Sequence, residues 1–407
     1  VAVIGGGAAG MMAALQAAWA GARVALLEKN EKLGKKIYIT GKGRCNVTNV
    51  ADIDDFFKQI PRNPRFLNAA ARQFTHEDVT GLLEMLGTPT KVERGGRVFP
   101  ESDKASDVTR ALDRGMRDAG VVISLNTQVA RVRQAEGGFD VELTQGGTLR
   151  AKSVIVATGG VSYPSTGSTG DGYLFADELG HTVTEVRPSL TPLRTSHPQR
   201  KFLDGLLLRN VRAQLVVDGE VVREEFGEIG FSERGIEGAV ALRLSRDAVD
   251  ALIDERKVKI VLDMKPALDE ETLFDRIKRE IAEMQPEEFF AELLRKLVPK
   301  NLVVPIAREL DVHSKNYIRK VTDAEINRLI KVLKGMVFPI TDYAPFEYAV
   351  VTAGGVCCDE VNKYTMESLK VGGLYFAGEV LDLDANTGGY NMQIAFSTGR
   401  LAGQLKK

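Results

Sequence analysis

The sequence is short of everything that would mark a small stapled protein, a metal protein or a membrane protein. Its 407 residues include three Cys, an odd number and too few for a disulfide framework, so a reducing, cytoplasmic setting is expected. The four His (His76, His181, His197 and His313) are scattered, and neither His-x-x-x-His nor a Cys pair at x-x spacing occurs, so no metal site is expected. Charge of either sign is missing in excess: 54 Lys and Arg face 55 Asp and Glu, and a formal charge of -1 gives no general field for nucleic acid or anionic lipid. Residues 1–22 carry no charge, but they are mostly Ala and Gly with no basic segment before them, which argues against a signal peptide or membrane helix. No G-x-S-x-G elbow of a serine hydrolase is present.

Glycine is what the chain has in excess, 40 residues against a usual ~7%. Residues 1–180 hold 24 of them, 341–407 hold 9, and the whole stretch between holds only 7. Glycine serves where backbone turns left-handed or must approach a ligand closely, so the uneven split reads as a domain map. A cofactor domain made of 1–187 and 343–407 would be interrupted by an insert at 188–342, β-rich over 188–265 and helical over 266–342.

Hydrophobic periodicity fills in the elements. Val1 to Ile4, Ala8 to Ala20 and Ala22 to Leu27 read as strand, helix, strand, the βαβ unit of a parallel sheet. Helical patterns follow near 64–73, 76–86 and 104–119, then a strand at Val121 to Ser124. Alternating segments near 127–134, 139–143 and 148–151 are separated by Gly137-Gly138 and Gly146-Gly147, the signature of an antiparallel meander. Buried strands are expected at Ser153 to Ala157 and Gly373 to Ala377, and a last helix at about Asn391 to Gln404. In the insert, β-like segments at Val211 to Val217, Glu220 to Glu225 and Val258 to Leu262 surround a helical pattern at 237–249. The helical part splits by charge, acidic over 266–294 and basic over 295–334, which reads as two complementary solvated faces.

Gly5-Gly6-Gly7-Ala8-Ala9-Gly10 satisfies G-x-G-x-x-G between a strand and a helix. Gly5 would make the tight turn, Gly7 would let a pyrophosphate approach the backbone, and Gly10 would let the helix pack on the strand. The helix N-terminus would supply free N-H groups to the phosphates. Glu28 ends the second strand, where a carboxylate accepts ribose hydroxyls and repels a 2′-phosphate. A flavin needs contacts far from this unit, and three Gly-rich segments suit it: Gly41 to Asn49, Ala157 to Gly160, and Gly378-Glu379 with Thr387 to Asn391 before the last helix. The first is no phosphate loop of the nucleotide-hydrolase type, because Lys36 stands where its first Gly belongs and Gly43 where Ser or Thr belongs.

With Ser165 to Tyr173, Val351 to Val356 and Gly373 to Asp382, this ordered set of segments resembles the BaiN/YhiN-like FAD flavoproteins, a family that includes aminoacetone oxidase; the likeness runs end to end. It implies an α/β fold with a Rossmann-like FAD domain of the glutathione-reductase-like kind, an antiparallel β-meander and an insert. The FAD contacts it implies are Gly5, Gly7, Ala8, Ala9, Gly10, Glu28 and Lys29; Gly43, Arg44, Cys45 and Asn46; and Val129 through its backbone. Ala157, Thr158, Gly159, Gly378, Glu379, Gly389, Tyr390, Asn391, Met392 and Gln393 complete them. The activities it implies are reduction of a dehydro bile acid or oxidation of a small aminoketone.

The expected function is an FAD-dependent oxidoreductase moving two electrons or a hydride at flavin N5 of a small organic substrate, with the flavin supplying the bond chemistry. On the resemblance it is a reductase, with an enone or dehydro bile acid as substrate. NAD(P)H would visit as donor, since no second G-x-G-x-x-G occurs. The alternatives are an O2-dependent amine or aminoketone oxidase and, from another class, an RNA-binding or tRNA-modifying flavoprotein using the basic stretch Arg295 to Lys334. Tyr163 and Arg44 are the catalytic candidates: Tyr163 as a proton or hydrogen-bond donor after Gly160, Arg44 as a clamp for a carboxylate or the flavin pyrimidine. One Cys in the Gly41 to Asn49 loop excludes disulfide-reductase chemistry, and Cys45, Cys357 and Cys358 are expected to be core thiols.

Overall fold

Strands that are apolar on both faces can exist only where both faces are covered, and that is how the short runs Ala2–Ile4, Ala25–Leu27 and Val154–Val156 are used. The computed structural model describes residues 1–405. Across its central sheet the order is Leu374–Phe376, Val154–Val156, Ala2–Ile4, Ala25–Leu27 and Val122–Ser124, every pair parallel. Helix Ala8–Trp19 links the first two runs in sequence, and helix Tyr390–Gly403 lies against it. That contact depends on small residues: a Cβ on Gly399 would stand 2.3 Å from the Ala9 carbonyl oxygen, and one on Gly403 2.4 Å from that of Ala13. The meander is present as Val129–Ala135, Gly138–Leu143 and Thr148–Ala151, turning through left-handed Gly137, Gly146 and Gly147.

This first unit comprises Val1–Ser189 and the chain from Phe346 onward; Leu190–Pro345 forms a second, each with its own apolar core. Within the first unit, Arg187–Ser189 pairs antiparallel with Val351–Ala353, so the two stretches flanking the insert are tied together by a backbone ladder. The second unit is a closed barrel in the order Leu193–Thr195, Gly235–Glu237, Glu220–Ser232, Leu207–Val217, Val258–Asp263 and Met336–Tyr343. Helix Gly238–Ile253 packs on the barrel with Val240, Ala241, Leu244 and Ala248 fully buried.

Three elements differ from the sequence expectation. The barrel strands at 207–217 and 220–232 are longer than read, because Arg and Glu on the outer face and Gly227 and Gly230 mask their alternation. The stretch read as helical to residue 342 ends in strand Met336–Tyr343; Met336, Phe338 and Ile340 point inward in period two, but Pro339 in the middle argues against a strand on sequence alone. Residues 35–49 hold a short helix at Lys35–Ile39 and a two-residue strand, Thr48–Asn49, that pairs with Arg97–Pro100, which in turn pairs with Thr90–Glu93. Segments so short carry no periodic signal. The acidic and basic halves of the helical region do meet, through Lys296–Glu280 at 3.2 Å and Arg319–Glu287 at 3.9 Å. Among the described residues no helix is long and apolar enough to cross a membrane.

Each unit buries one neutral histidine. Ser368 Oγ accepts from the amides of Val371 (2.8 Å) and Lys370 (3.0 Å), so its proton goes to His181 Nε2 at 2.7 Å, which requires an uncharged ring. In the barrel, His197 Nδ1 accepts from the Gln199 amide at 3.2 Å, and its ring packs on Phe338. Burial holds both imidazoles below their ordinary value, only partly opposed by Glu360 and Glu309. Unfolded, both would titrate near pH ~6.5, so the unfolded state binds more protons below that pH. Stability is therefore full above pH ~6.5 and falls as the pH drops. A lower Tm at pH 5.5 than at pH 7.5 is expected by calorimetry, with part of the slope removed in His197→Asn. The interhelix contact gives a second expectation. In Gly399→Ala the gain in helix propensity, at most ~1 kcal/mol, is outweighed by overlap with Ala9 oxygen at roughly 1–3 kcal/mol, a net loss that urea unfolding would register.

Candidate functional site

The G-x-G-x-x-G turn contains three glycines with different physical reasons. Gly5 has φ +103°, and a Cβ there would lie 2.5 Å from the Ala157 carbonyl oxygen; a Cβ on Gly10 would lie 1.8 Å from the Gly5 oxygen. Those two are required by the fold. Gly7 is not, for it has an ordinary extended backbone, and a Cβ there would meet nothing within 4 Å. It opens into a cavity of the first unit that Gly5, Gly6, Gly7, Ala8 and Ala9 line together. Helix Ala8–Trp19 starts at Gly7 with no side-chain cap and no acidic residue in its first turn. A helix end with free amides and no capping oxygen is a ready anion site.

Glu28 lies on the same wall, 7% exposed. Its Oε1 accepts from the amide and the side chain of Asn30 (2.8 and 2.6 Å), and its Oε2 from the Gly6 amide at 2.7 Å. A carboxylate oxygen has two acceptor positions, so Oε2 keeps one for a hydroxyl. Lys29 also lines the cavity, held by Asp171 at 2.8 Å and by Thr169. Further along are Val129, Ala157, Thr158, Gly159, Glu379, Asn391 and Met392. Glu379 accepts from Lys36 Nζ at 3.0 and 2.8 Å, Ser162 Oγ at 2.7 Å and the Thr352 amide at 2.9 Å. Burial pushes this carboxyl up, but Lys36 and the hydrogen bonds prevail and hold it below the usual carboxylate value.

Other residues singled out in the sequence do not line this cavity. Gly10, Gly378 and Gly389 shape its walls: a Cβ on Gly378 would stand 2.7 Å from the Ala9 side chain, and one on Gly389 2.3 Å from the Thr48 oxygen. Gln393 is spent on the protein, donating to Phe74 O and Ser397 and accepting from Thr48. Tyr390 packs against Phe56. Asn391, which does line the cavity, also braces the loop before its helix by pairing with both backbone groups of Ala385. Gly43 sits in the turn Thr40–Gly43. Arg44 points elsewhere than read: its guanidinium pairs with Glu93 at 2.8 Å and Asp103 at 3.2 Å and lies 4.1 Å over the Phe99 ring. Tyr163 occupies a left-handed backbone position, its amide bonded to Phe346 O, and it too is away from the cavity wall. Cys45 is fully buried, and burial pushes its thiol up to about 12; Cys357 and Cys358 are free thiols as well.

Sequence reasoning passed over Lys36, Asn30 and Asp171. Lys36 meets a partner 343 residues away, and no local spacing announces that. Asp171 stands inside the Ser165 to Tyr173 segment, a signal that was there to be used.

The donor set fits an FAD: an uncapped helix start for a pyrophosphate, a carboxylate with one spare acceptor for a ribose, and a glycine whose missing Cβ is open space. At the second helix start, Gly389 has no side-chain cap, and the buried Asn46 Oδ1 beside it has no protein partner. Two substitutions separate fold from ligand. Gly7→Ala is expected to leave the urea stability of the FAD-free protein within ~0.5 kcal/mol while weakening FAD uptake, whereas Gly10→Ala should lose the fold.

A 3-dehydro-bile acid delta(4,6)-reductase of Clostridium scindens is 33% identical, over 99% of this chain and 98% of its own length. A ribosomal RNA dihydrouridine synthase of Escherichia coli is 29% identical, over 97% and 95%. Among solved structures, an open flavocytochrome c3 fumarate reductase aligns at 19% identity and TM-score 0.47, covering 99% of this chain and 77% of that one. The family model described as the HI0933-like protein Rossmann domain matches residues 1–405, and the chain belongs to that family, a family of FAD-dependent oxidoreductases.

Proposed function

We propose that this protein is an FAD-dependent reductase that adds hydrogen across a carbon-carbon double bond conjugated to a carbonyl, drawing its electrons from NAD(P)H. The observation that carries the reading is the pair of full-length relatives. One is named for reducing a 3-dehydro steroid at delta(4,6), the other for making dihydrouridine. The substrates differ in size and class, yet both names describe saturation of a double bond in conjugation with a carbonyl. That is a hydride acceptor matched to a reduced flavin.

Gly7, Ala8 and Ala9 would hold the pyrophosphate, Glu28 the adenosine ribose, and Asn391 and Met392 the far end of the cofactor. Bound there, FAD supplies the two-electron chemistry that side chains lack. The parallel sheet with a three-stranded meander between its strands Val122–Ser124 and Val154–Val156 supports placing the first unit with glutathione-reductase-like FAD domains. With no second G-x-G-x-x-G in the chain, the nicotinamide would be a visiting co-substrate. Three free thiols favour a reducing compartment, and we assign the protein to the cytoplasm on that ground.

A second reading has its own support: uridine in RNA as the substrate, on the likeness to the dihydrouridine synthase. Against it, basic residues of 295–334 such as Lys296 are paired with acidic neighbours, which weakens phosphate contacts.

One titration tests all of this. The FAD-loaded protein should bleach anaerobically with NADH or NADPH, then recolour quickly with a 3-oxo-4-ene steroid or another enone and slowly with air. Recolouring by a uridine-containing ribosomal RNA fragment alone would transfer the assignment to RNA. Fast recolouring by air, with bleaching by an aminoketone, would make it an oxidase, and a chain that takes up no FAD would end the proposal.

A further inference from the structure

Lys36 and Glu379 come from opposite ends of the sequence, and both line the cavity. Lys36 Nζ bridges both carboxylate oxygens of Glu379, at 3.0 and 2.8 Å, and also donates to Ser162 Oγ at 2.5 Å; Ser162 in turn donates to Glu379 Oε1 at 2.7 Å. With the Thr352 amide at 2.9 Å, Oε1 has three donors, whereas Oε2 accepts from Lys36 alone. Oε2 therefore keeps one acceptor position. Glu28 repeats the arrangement with other partners: Oε1 is taken twice, Oε2 once. Of the three carboxylates that line the cavity, Asp171 is paired with Lys29 and Thr169, while the two glutamates are each fixed by protein donors with a single acceptor left on Oε2. Of the two glutamates, only Glu379 is paired with a lysine.

We infer that Lys36 is a positioning residue for the cofactor: by clamping Glu379 against Ser162 and Thr352 it presents Oε2 as the acceptor for a second hydroxyl of a bound FAD, beyond the ribose hydroxyl taken by Glu28. The inference rests on FAD being the occupant of the cavity. It does not rest on which substrate is reduced. The ligand chemistry follows from the site, because two preset acceptors in one cavity select a molecule with hydroxyls at two places, and FAD has a ribose and a ribityl chain. Lys36 does not touch the reacting atoms in this role. Its effect is transmitted through Glu379.

The groups facing Glu379 are few. Besides Lys36, Ser162 and the Thr352 amide, the buried Tyr173 hydroxyl lies within its field, and the charges of Glu379 and Asp382 both help to keep that phenol protonated after burial has done most of it. No other cation hydrogen-bonds to Glu379 among the described residues. Without Lys36 the carboxylate would stay largely buried and uncompensated, a state that relaxes by taking up a proton.

The test is FAD affinity of the FAD-free protein, read by quenching of flavin fluorescence from pH 6 to pH 8.5. Lys36→Met is expected to weaken FAD by about ten- to a hundredfold at neutral pH, the scale of one charge-assisted hydrogen bond, with a loss that grows as the pH falls. Lys36→Arg should recover most of the affinity. Glu379→Gln should weaken FAD by a similar factor without the pH dependence, and Lys36→Met with Glu379→Gln should be no weaker than either alone. The double variant has no uncompensated charge, so it remains measurable should Lys36→Met fold poorly. Wild-type affinity in Lys36→Met, or losses that multiply in the double variant, would overturn the inference. A wild-type protein that binds no FAD would instead defeat the cofactor assignment itself.

Discussion

The first unit depends on how closely other backbone comes to the first turn of helix Ala8–Trp19. Gly10 lets that turn ride on the Gly5 carbonyl, Gly5 lets the loop touch the end of strand Val154–Val156, and Gly378 and Gly399 let two C-terminal segments close on Ala9. A side chain at any of the four would overlap protein, and Gly5, Gly10 and Gly399 would strike backbone that cannot move aside. Packing at interior density makes such a contact all or none. Sheet, helix and closing helix thus meet at one point. Gly7, three residues from Gly10, is exempt, and its freedom marks the side of the turn that faces ligand.

The polar part of the cavity follows a second constraint. Charges removed from water must be compensated where they stand. Glu28 meets this with backbone and amide donors, Glu379 with a lysine, a serine and a backbone amide. The same requirement that stabilises these side chains fixes their direction, so the site is set before any ligand arrives.

Much of this was legible in the residues. The helices near 64–73, 76–86 and 104–119 lie at Pro64–Gln73, His76–Met85 and Ala105–Asp118, because their apolar faces recur at helical spacing over ten residues or more. The turn at Gly5 to Gly10 and the acid at Glu28 were readable because spacing fixes them locally. What was not legible is long-range or short. Strand Thr48–Asn49 has too few residues to show a period, Pro339 hides the last barrel strand, and the Lys36 to Glu379 pair spans nearly the whole chain. Arg44 misled for a related reason: its place in a glycine-rich motif is visible in sequence, whereas Glu93 and Phe99 beneath it are not.

The ladder between Arg187–Ser189 and Val351–Ala353 has a meaning for how such a chain diversifies. It brings the two ends of the interruption side by side within the host unit, so the entropy of closing that gap is met by strand pairing whatever is spliced between them. Because that cost grows only slowly with length, a barrel, a bundle or a bare hairpin would burden the host almost equally. The splice point works as a socket, open to replacement of whole modules while the turn at Gly5 to Gly10 stays under unrelieved steric selection.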